Sequence, residues 1–374
     1  MRDFMQVRVR QKIAELRPRL REKFERLCPL STFNECDHDL PENVMDCVIL
    51  GSVKLGKNSK LYGSLVGDNV ELEIGDNTIV NASAFAMDGV GKCQGDFYVK
   101  KNNGVTKIHI GSNCLIDKLN CTTSLDLGDN SIILHSALKR DELEYSEHPA
   151  EIKTKMILGN DTVLAESAIA QIGIDHADPD LKDLVIGEGL VMNNRSLVIR
   201  SKNNHFGKNI LLCGYTVELE SLLSDEPPDW IGLKESWHTY SRIGFFRMDD
   251  DSHVIHIGKF NNVYIGDEVY ISIILKWLAA DEPDSELHIG DRVIIATNKS
   301  GYLASQPEYK SVIRKWSIGN DCTLCCMNNL YNRPGTGTPN VVKVNDGLNI
   351  GIRYDYDSCP ISAIHIAADG YYNI

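Results

Sequence analysis

Aliphatic and polar positions alternate along this chain in one recurring phrase. An aliphatic residue is followed by glycine, two mostly polar residues, a small or β-branched residue, a variable residue and a second aliphatic. Residues 66–80, VGDNVELEIGDNTIV, state it twice. Further copies are LGKNSKL at Leu55, IGSNCLI at Ile110, LGDNSII at Leu127, LGNDTVL at Leu158, IGEGLVM at Ile186 and FGKNILL at Phe206. The later ones are IGKFNNV at Ile257, IGDEVYI at Ile265, IGDRVII at Ile289 and IGNDCTL at Ile318. Each column has a physical reason. The leading aliphatic closes a short strand. Glycine permits a positive φ or a close approach between neighbouring coils. Asp, Asn or Lys suits a turn. The fifth residue starts the next strand facing inward, and the seventh, two positions on, faces the core as well.

Residues before the glycine also alternate, as in LEIG, IHIG, LDLG and LHIG, which predicts short half-buried strands. Short strands, glycine turns and repetition predict an all-β fold: a single-stranded parallel β-helix solenoid whose coils bury their faces only by stacking. Motif glycines lie 17 apart at Gly111 and Gly128, 20 apart at Gly187 and Gly207, and 8 apart at Gly67 and Gly75. Elsewhere the gaps are longer, so loops are expected to project at 88–106, 139–154, 175–183, 223–252 and 332–341. The organisation expected is an amphipathic helical segment at 1–30, a linker at 31–48, the β-helix with its insertions at 49–350 and a terminal cap at 351–374.

In residues 1–30, Phe4, Val7, Ile13, Leu16, Leu20, Phe24 and Leu27 approximate a helical stripe, which Pro18 is expected to break or kink. The net charge is +5 here, against −18 in the remainder of a chain of net charge −13. Two readings stand: a cap over the first open coil or an oligomerisation helix, and a basic amphipathic helix that meets an anionic surface. The acidic balance argues against a general nucleic-acid binder. The start, MRDFMQVRVRQK, lacks an apolar h-region, and no stretch has the roughly 20 apolar residues of a membrane span. Eleven cysteines at irregular spacings suit a reducing compartment, so a cytoplasmic protein with mostly free thiols is expected.

The motif resembles the hexapeptide repeat of left-handed β-helix proteins, most closely in IGDNTIVNASA at 74–84 and IGDRVIIATN at 289–298. It is also similar, more distantly, to the aliphatic-Gly-Asp pattern of bactofilins, which are polymer-forming β-helices. The first resemblance favours left-handed coils and implies a trimeric acyltransferase that moves an acyl group from acyl-CoA, commonly acetyl-CoA, to a hydroxyl or amine of a sugar-like acceptor. Asp175–His176, in IGIDHADPD before a fresh coil, resembles the loop whose histidine acts as general base in sugar O-acetyltransferases. An imidazole titrates near neutrality, and an adjacent carboxylate can orient it. The tryptophan-bearing coil that follows in that group is replaced here by IGEGLVMNN. The plain alternative is an exposed loop histidine beside turn-forming acids.

His205 is the second candidate base, with Asn203 and Asn204 beside it for a ligand. Asn193 or Asn194 could supply an oxyanion contact. Trp230, amid acids in 223–238, suits a sugar, although packing of that insertion explains it more simply. His109, His256 and His288 share one register before the aliphatic-Gly, facing outward, with His256 and His288 as potential neighbours. Outward histidines bind zinc in γ-class carbonic anhydrases, but zinc needs three or four convergent ligands, and no metal site is expected. Cys322-x-x-Cys325-Cys326 resembles half a zinc site. Cys322 shares its column with Thr78, Cys114 and Ser131, which favours a small core residue. The glycine- and proline-rich RPGTGTPN at 333–340 lacks the lysine of a phosphate loop. The rival to catalysis is a non-catalytic scaffold: an assembly protein or a glycan-binding solenoid.

Overall fold

A computed structural model of the chain describes residues 2–27, 34–35, 40–81, 83–85, 90–93, 96–99, 105–117, 119–121, 124–134, 136, 138, 155–165, 169, 182–193, 197–198, 203–213, 255–256, 261–271, 275–276, 285–296, 313–325, 330–332, 340–350, 364–366 and 371–373. These form two compact units, one from residues 3–178 with 217–252, the other from 179–216 with 253–374.

In the first unit the chain visits three parallel sheets in turn. Sheet I holds Ser52–Leu55, Val70–Ile74, Thr106–Ile110, Ser124–Leu127 and Lys155–Leu158. Sheet II takes the strands after the Gly turn, among them Lys60–Tyr62, Ile79–Asn81 and Leu115–Asp117. Sheet III holds Cys47–Ile49, Leu65–Val66, Ala84–Phe85 and Asn120–Cys121. Every strand of these sheets pairs in parallel with its counterpart one coil away, for instance Ile108 with Leu72 and with Leu125. The second unit follows the same plan. Its sheet I holds Leu184–Ile186, Asn203–Phe206, Asn262–Ile265, Glu286–Ile289, Ile313–Ile318, Asn340–Val344 and Tyr371–Asn373. The fold is a single-stranded parallel β-helix.

Ten of the twelve motif copies mark the same corner, from sheet I to sheet II. Val66 turns instead from sheet III towards sheet I, and the copy at Ile257 follows Ile255–His256, a strand of the second unit's own sheet III with Leu197–Val198 and Leu275–Lys276. An eleventh corner, VNDGLNI at Val344, lacks the glycine and escapes the motif. The expected insertions all enter elsewhere in the coil and leave this corner intact. The insertion at 88–106 contains an antiparallel pair, Val90–Cys93 with Asp96–Val99.

The corner explains its own columns. Glycine is required by proximity: a Cβ on Gly75 would lie 2.7 Å from the carbonyl carbon of Gly111. The positive φ falls two residues later, on Asn77 (55°), Asn113 (58°), Asn130 (58°) and Asp161 (57°), where Asn and Asp are tolerated best. The residue between them bonds coil to coil. The Asp76 carboxylate accepts the Lys57 N–H at 2.7 Å, Asp129 that of Ser112 at 2.6 Å, and Asp291 that of Asp267 at 2.9 Å. Seventh-column Leu61, Val80, Ile116, Ile133, Leu164 and Ile295 are fully buried. Each such side chain contributes roughly 1.5–3 kcal/mol of apolar burial.

The helix α1 (Arg2–Leu27) runs unbroken through Pro18. Leu16, Leu20 and Phe24 are 2% exposed, while Pro18 lies on the outer face. Packing of the inner stripe therefore outweighs the roughly 3 kcal/mol that proline costs a helix. The helix lies along the side of the coils, not over the first one. Arg21 donates to the Asn77 carbonyl at 2.9 Å, and Arg17 to those of Asn113 at 3.2 Å and Asn130. One turn on, Glu25 pairs with Lys60, and the Tyr62 hydroxyl donates to the Phe24 carbonyl. A helical turn of about 5.4 Å nearly matches the ~4.8 Å between coils, so residues four apart meet equivalent corners. The tail also departs from expectation. Ile364–Ile366 pairs with Leu330–Asn332, and Tyr371–Asn373 with Asn340–Val344, so the expected cap contains two further parallel strands.

Candidate functional site

The position two before each corner glycine points outward on sheet I. In the first unit it carries Lys54, Glu73, His109, Asp126 and Ile157, in register. The first four pair among themselves. Lys54 pairs with Glu73, His109 Nδ1 lies 3.0 Å from Asp126, and Lys155 lies 3.7 Å from Asp126. The Lys54 hydrogen bond holds the Glu73 carboxyl below the usual carboxylate range. The pairs are about half exposed, so each is worth little.

The same column in the second unit reads Val185, His205, Tyr264, His288, Ser317 and Lys343, again in register. Here the side chains are rings. His205 stacks on Tyr264 with centroids 5.0 Å apart and planes 13° apart, and Tyr264 on His288 at 4.7 Å and 7°. Tyr264 is 39% exposed. The next outward row runs Asn203, Asn262, Glu286 and Lys315. Asn203 Nδ2 donates to Asn262 Oδ1 at 2.9 Å, which fixes both amides. All the residues of these two rows but Lys315 and Lys343 line, with Lys182 and Asp183, an open concavity of about 780 Å³.

Stacking decides what this surface offers. The inner ring faces cover one another, so solvent meets ring edges: imidazole nitrogens and a phenol hydroxyl at coil spacing. Two ring faces remain at the ends. On the outer sides His205 borders Val185 and His288 borders Ser317, both smaller side chains than a ring. The arrangement is a rigid row of polar edges with an aromatic ledge at either end, bordered by amides that both donate and accept.

The structure distributes the sequence candidates unevenly. Asp175, His176, Asn194 and Trp230 lie outside the described residues, as does the loop at 333–339. Asn193 ends a sheet II strand and pairs with Cys213, on a different sheet from His205 on sheet I, so these two do not share a face. Asn204 is 7% exposed with its side chain on the core side of its strand; the outward groups there are Asn203 and His205. His256 shares a sequence register with His288 but stands in sheet III, paired with Val198 and Lys276. The neighbour of His288 is Tyr264, which no motif had singled out. Its signal was available in the column before each corner glycine, once that column is read across copies instead of for histidine alone. Cys322 is a buried thiol whose Sγ donates to the Asn345 carbonyl at 3.1 Å, as its column predicts.

Among the described residues no three His, Cys, Asp or Glu side chains gather where a metal ion could be held, and no helix is long and apolar enough to cross a membrane. Comparison with family models, curated proteins and solved structures gave no match to this chain.

Proposed function

We propose that this β-helix binds a glycan on sheet I of its second unit. The observation that carries the reading is the His205–Tyr264–His288 stack, held between outward amides in an open concavity. A sugar presents hydroxyls at its edge and C–H groups on its faces. The amides and ring edges suit the first, and the two open ring faces suit the second. Strand pairing and stacking hold these groups in place beforehand, so little entropy is lost in ordering them on binding. Acyl transfer from acetyl-CoA, which the sequence resemblance implies, rests on Asp175 and His176. The binding reading uses neither.

An oligosaccharide array followed by calorimetry on the strongest ligands tests the reading. Tyr264→Ala removes the hydroxyl edge at the middle of the stack and releases the two histidines it holds, and should weaken binding roughly tenfold, a loss of about 1.4 kcal/mol. His109→Ala, on the first unit, should leave it unchanged. The reading fails if no oligosaccharide binds, or if Tyr264→Ala binds like the parent. Thermal stability with acetyl-CoA tests the other reading: a ligand at 100 times its dissociation constant adds about 2.7 kcal/mol, and no shift is expected here.

A further inference from the structure

The aromatic row has two ends, and they differ chemically. At the first, His205 faces Val185, with Lys182 and Asp183 beside it on the preceding chain. One charge of each sign and an apolar floor suit a neutral group. At the second, His288 faces Ser317, and Lys343 stands in register beyond it. Lys343 is exposed, with the uncharged Ser317 and Asn373 as its register neighbours. Lys315 lies two residues before Ser317 on the same strand, so it projects on the same outward side, in register with Glu286. Among the described residues, the facing charged groups at this end are thus two lysines and one carboxylate.

Ser317 makes a gap in the row. Adjacent strands lie about 4.8 Å apart, so His288 and Lys343 stand roughly 10 Å apart across it. The serine hydroxyl floors this gap, and an ammonium group lies on its far side. A carboxylate or sulfate has the size for it and would accept from Ser317 Oγ and Lys343 Nζ, with Lys315 adding charge from the flank. A sugar ring stacked on the open face of His288 would bring its ring substituent into this gap.

Resting on the glycan reading, we propose that the ligand is an acidic glycan, bound in one direction, with an anionic substituent over Ser317 between His288 and Lys343. The two ledges then select different sugars: a neutral one above Val185 and an acidic one above Ser317.

Matched oligosaccharides test this in three forms: the uronic acid, its carboxyl-reduced neutral parent and the O-sulfated parent. One acidic form should bind roughly tenfold tighter than the neutral parent, as two partly exposed charge contacts allow. Which form gains identifies the substituent as carboxylate or sulfate. The gain should shrink with added salt and vanish in the Lys315→Gln/Lys343→Gln double variant, which should still bind the neutral parent like wild type. Equal binding of all three forms overturns the acidic assignment and leaves glycan binding standing. A gain that survives in the double variant overturns the placement at Ser317. Binding of none overturns both readings.

Discussion

Tyr264 and His288 stand in register on adjacent parallel strands, their rings 4.7 Å apart and 7° from parallel. The pair lies outside the core, so its value to folding is small, and it belongs to the surface proposed to bind a glycan. Tyr264→Ala should cost about 0.5–1.5 kcal/mol per lost stack, seen as a modest fall in the urea midpoint. Tyr264→Phe keeps both stacks and should match wild type in stability. A collapse of the fold in Tyr264→Ala would show that the ring row is structural.

Two glycines of the corner are needed for different reasons. A Cβ at Gly75 meets backbone, the carbonyl carbon of Gly111 and the amide of Ser112, both at 2.7 Å. Neither can retreat without moving a coil, so Gly75→Ala should cost about 1–3 kcal/mol, as overpacking does. Gly347 has φ of 73° and nothing within 4 Å. Gly347→Asn places there the residue type that other corners use and should be nearly neutral, while Gly347→Ala should lose about 1–2 kcal/mol to left-handed strain. Denaturation curves of the three variants check the order.

Arg17 ties α1 to two corners through the Asn113 and Asn130 carbonyls. Burial pulls its guanidinium pKa below the ordinary arginine value, partly offset by the nearby Asp161 carboxylate. Arg17→Met keeps the apolar stem and removes the donors. About 1–3 kcal/mol should be lost, as for hydrogen bonds from a charged donor. The loss should fall on the docking of α1. Hydrogen exchange should quicken in residues 10–27 and stay slow in the sheet I strands; uniform quickening would contradict the local role.

Burial pushes the Cys114 thiol up from 9.0 to about 11, with the Asp129 carboxylate adding to the rise. Between these values the folded protein keeps a proton that the unfolded chain has lost. Stability is therefore unaffected below pH 9.0 and falls as pH rises to about 11, by about 2–3 kcal/mol in all. Cys114→Ser puts in the residue found at Ser59 and Ser131 of the same column, and should flatten the slope. At neutral pH native Cys114 should resist alkylation, which peptide mass spectrometry reads site by site.

Much of the scaffold was legible in the chain because each coil repeats the same physical problem. Leu61, Val80 and Ile116 had to face inward, since they stand two positions beyond the fifth column along a strand. The role of the residue after glycine was less visible. Asp76 and Asp129 read as turn formers, whereas in the fold their carboxylates accept from the preceding coil's backbone. Pro18 misled because propensity is local, and the Leu16, Leu20 and Phe24 contacts that override it are not.

The sequence by itself determined the β-helix, the corner and the inward columns, because strand periodicity and turn chemistry act over a few residues. Only the tertiary structure decided which outward residues become neighbours. Fifty-nine residues separate His205 from Tyr264 and 24 separate Tyr264 from His288, yet each pair is one coil apart. Insertions of different length intervene, and a strand pairs with its counterpart whatever the length of the loop between them. Stacking across coils, which no single stretch of chain encodes, turns three scattered rings into one surface.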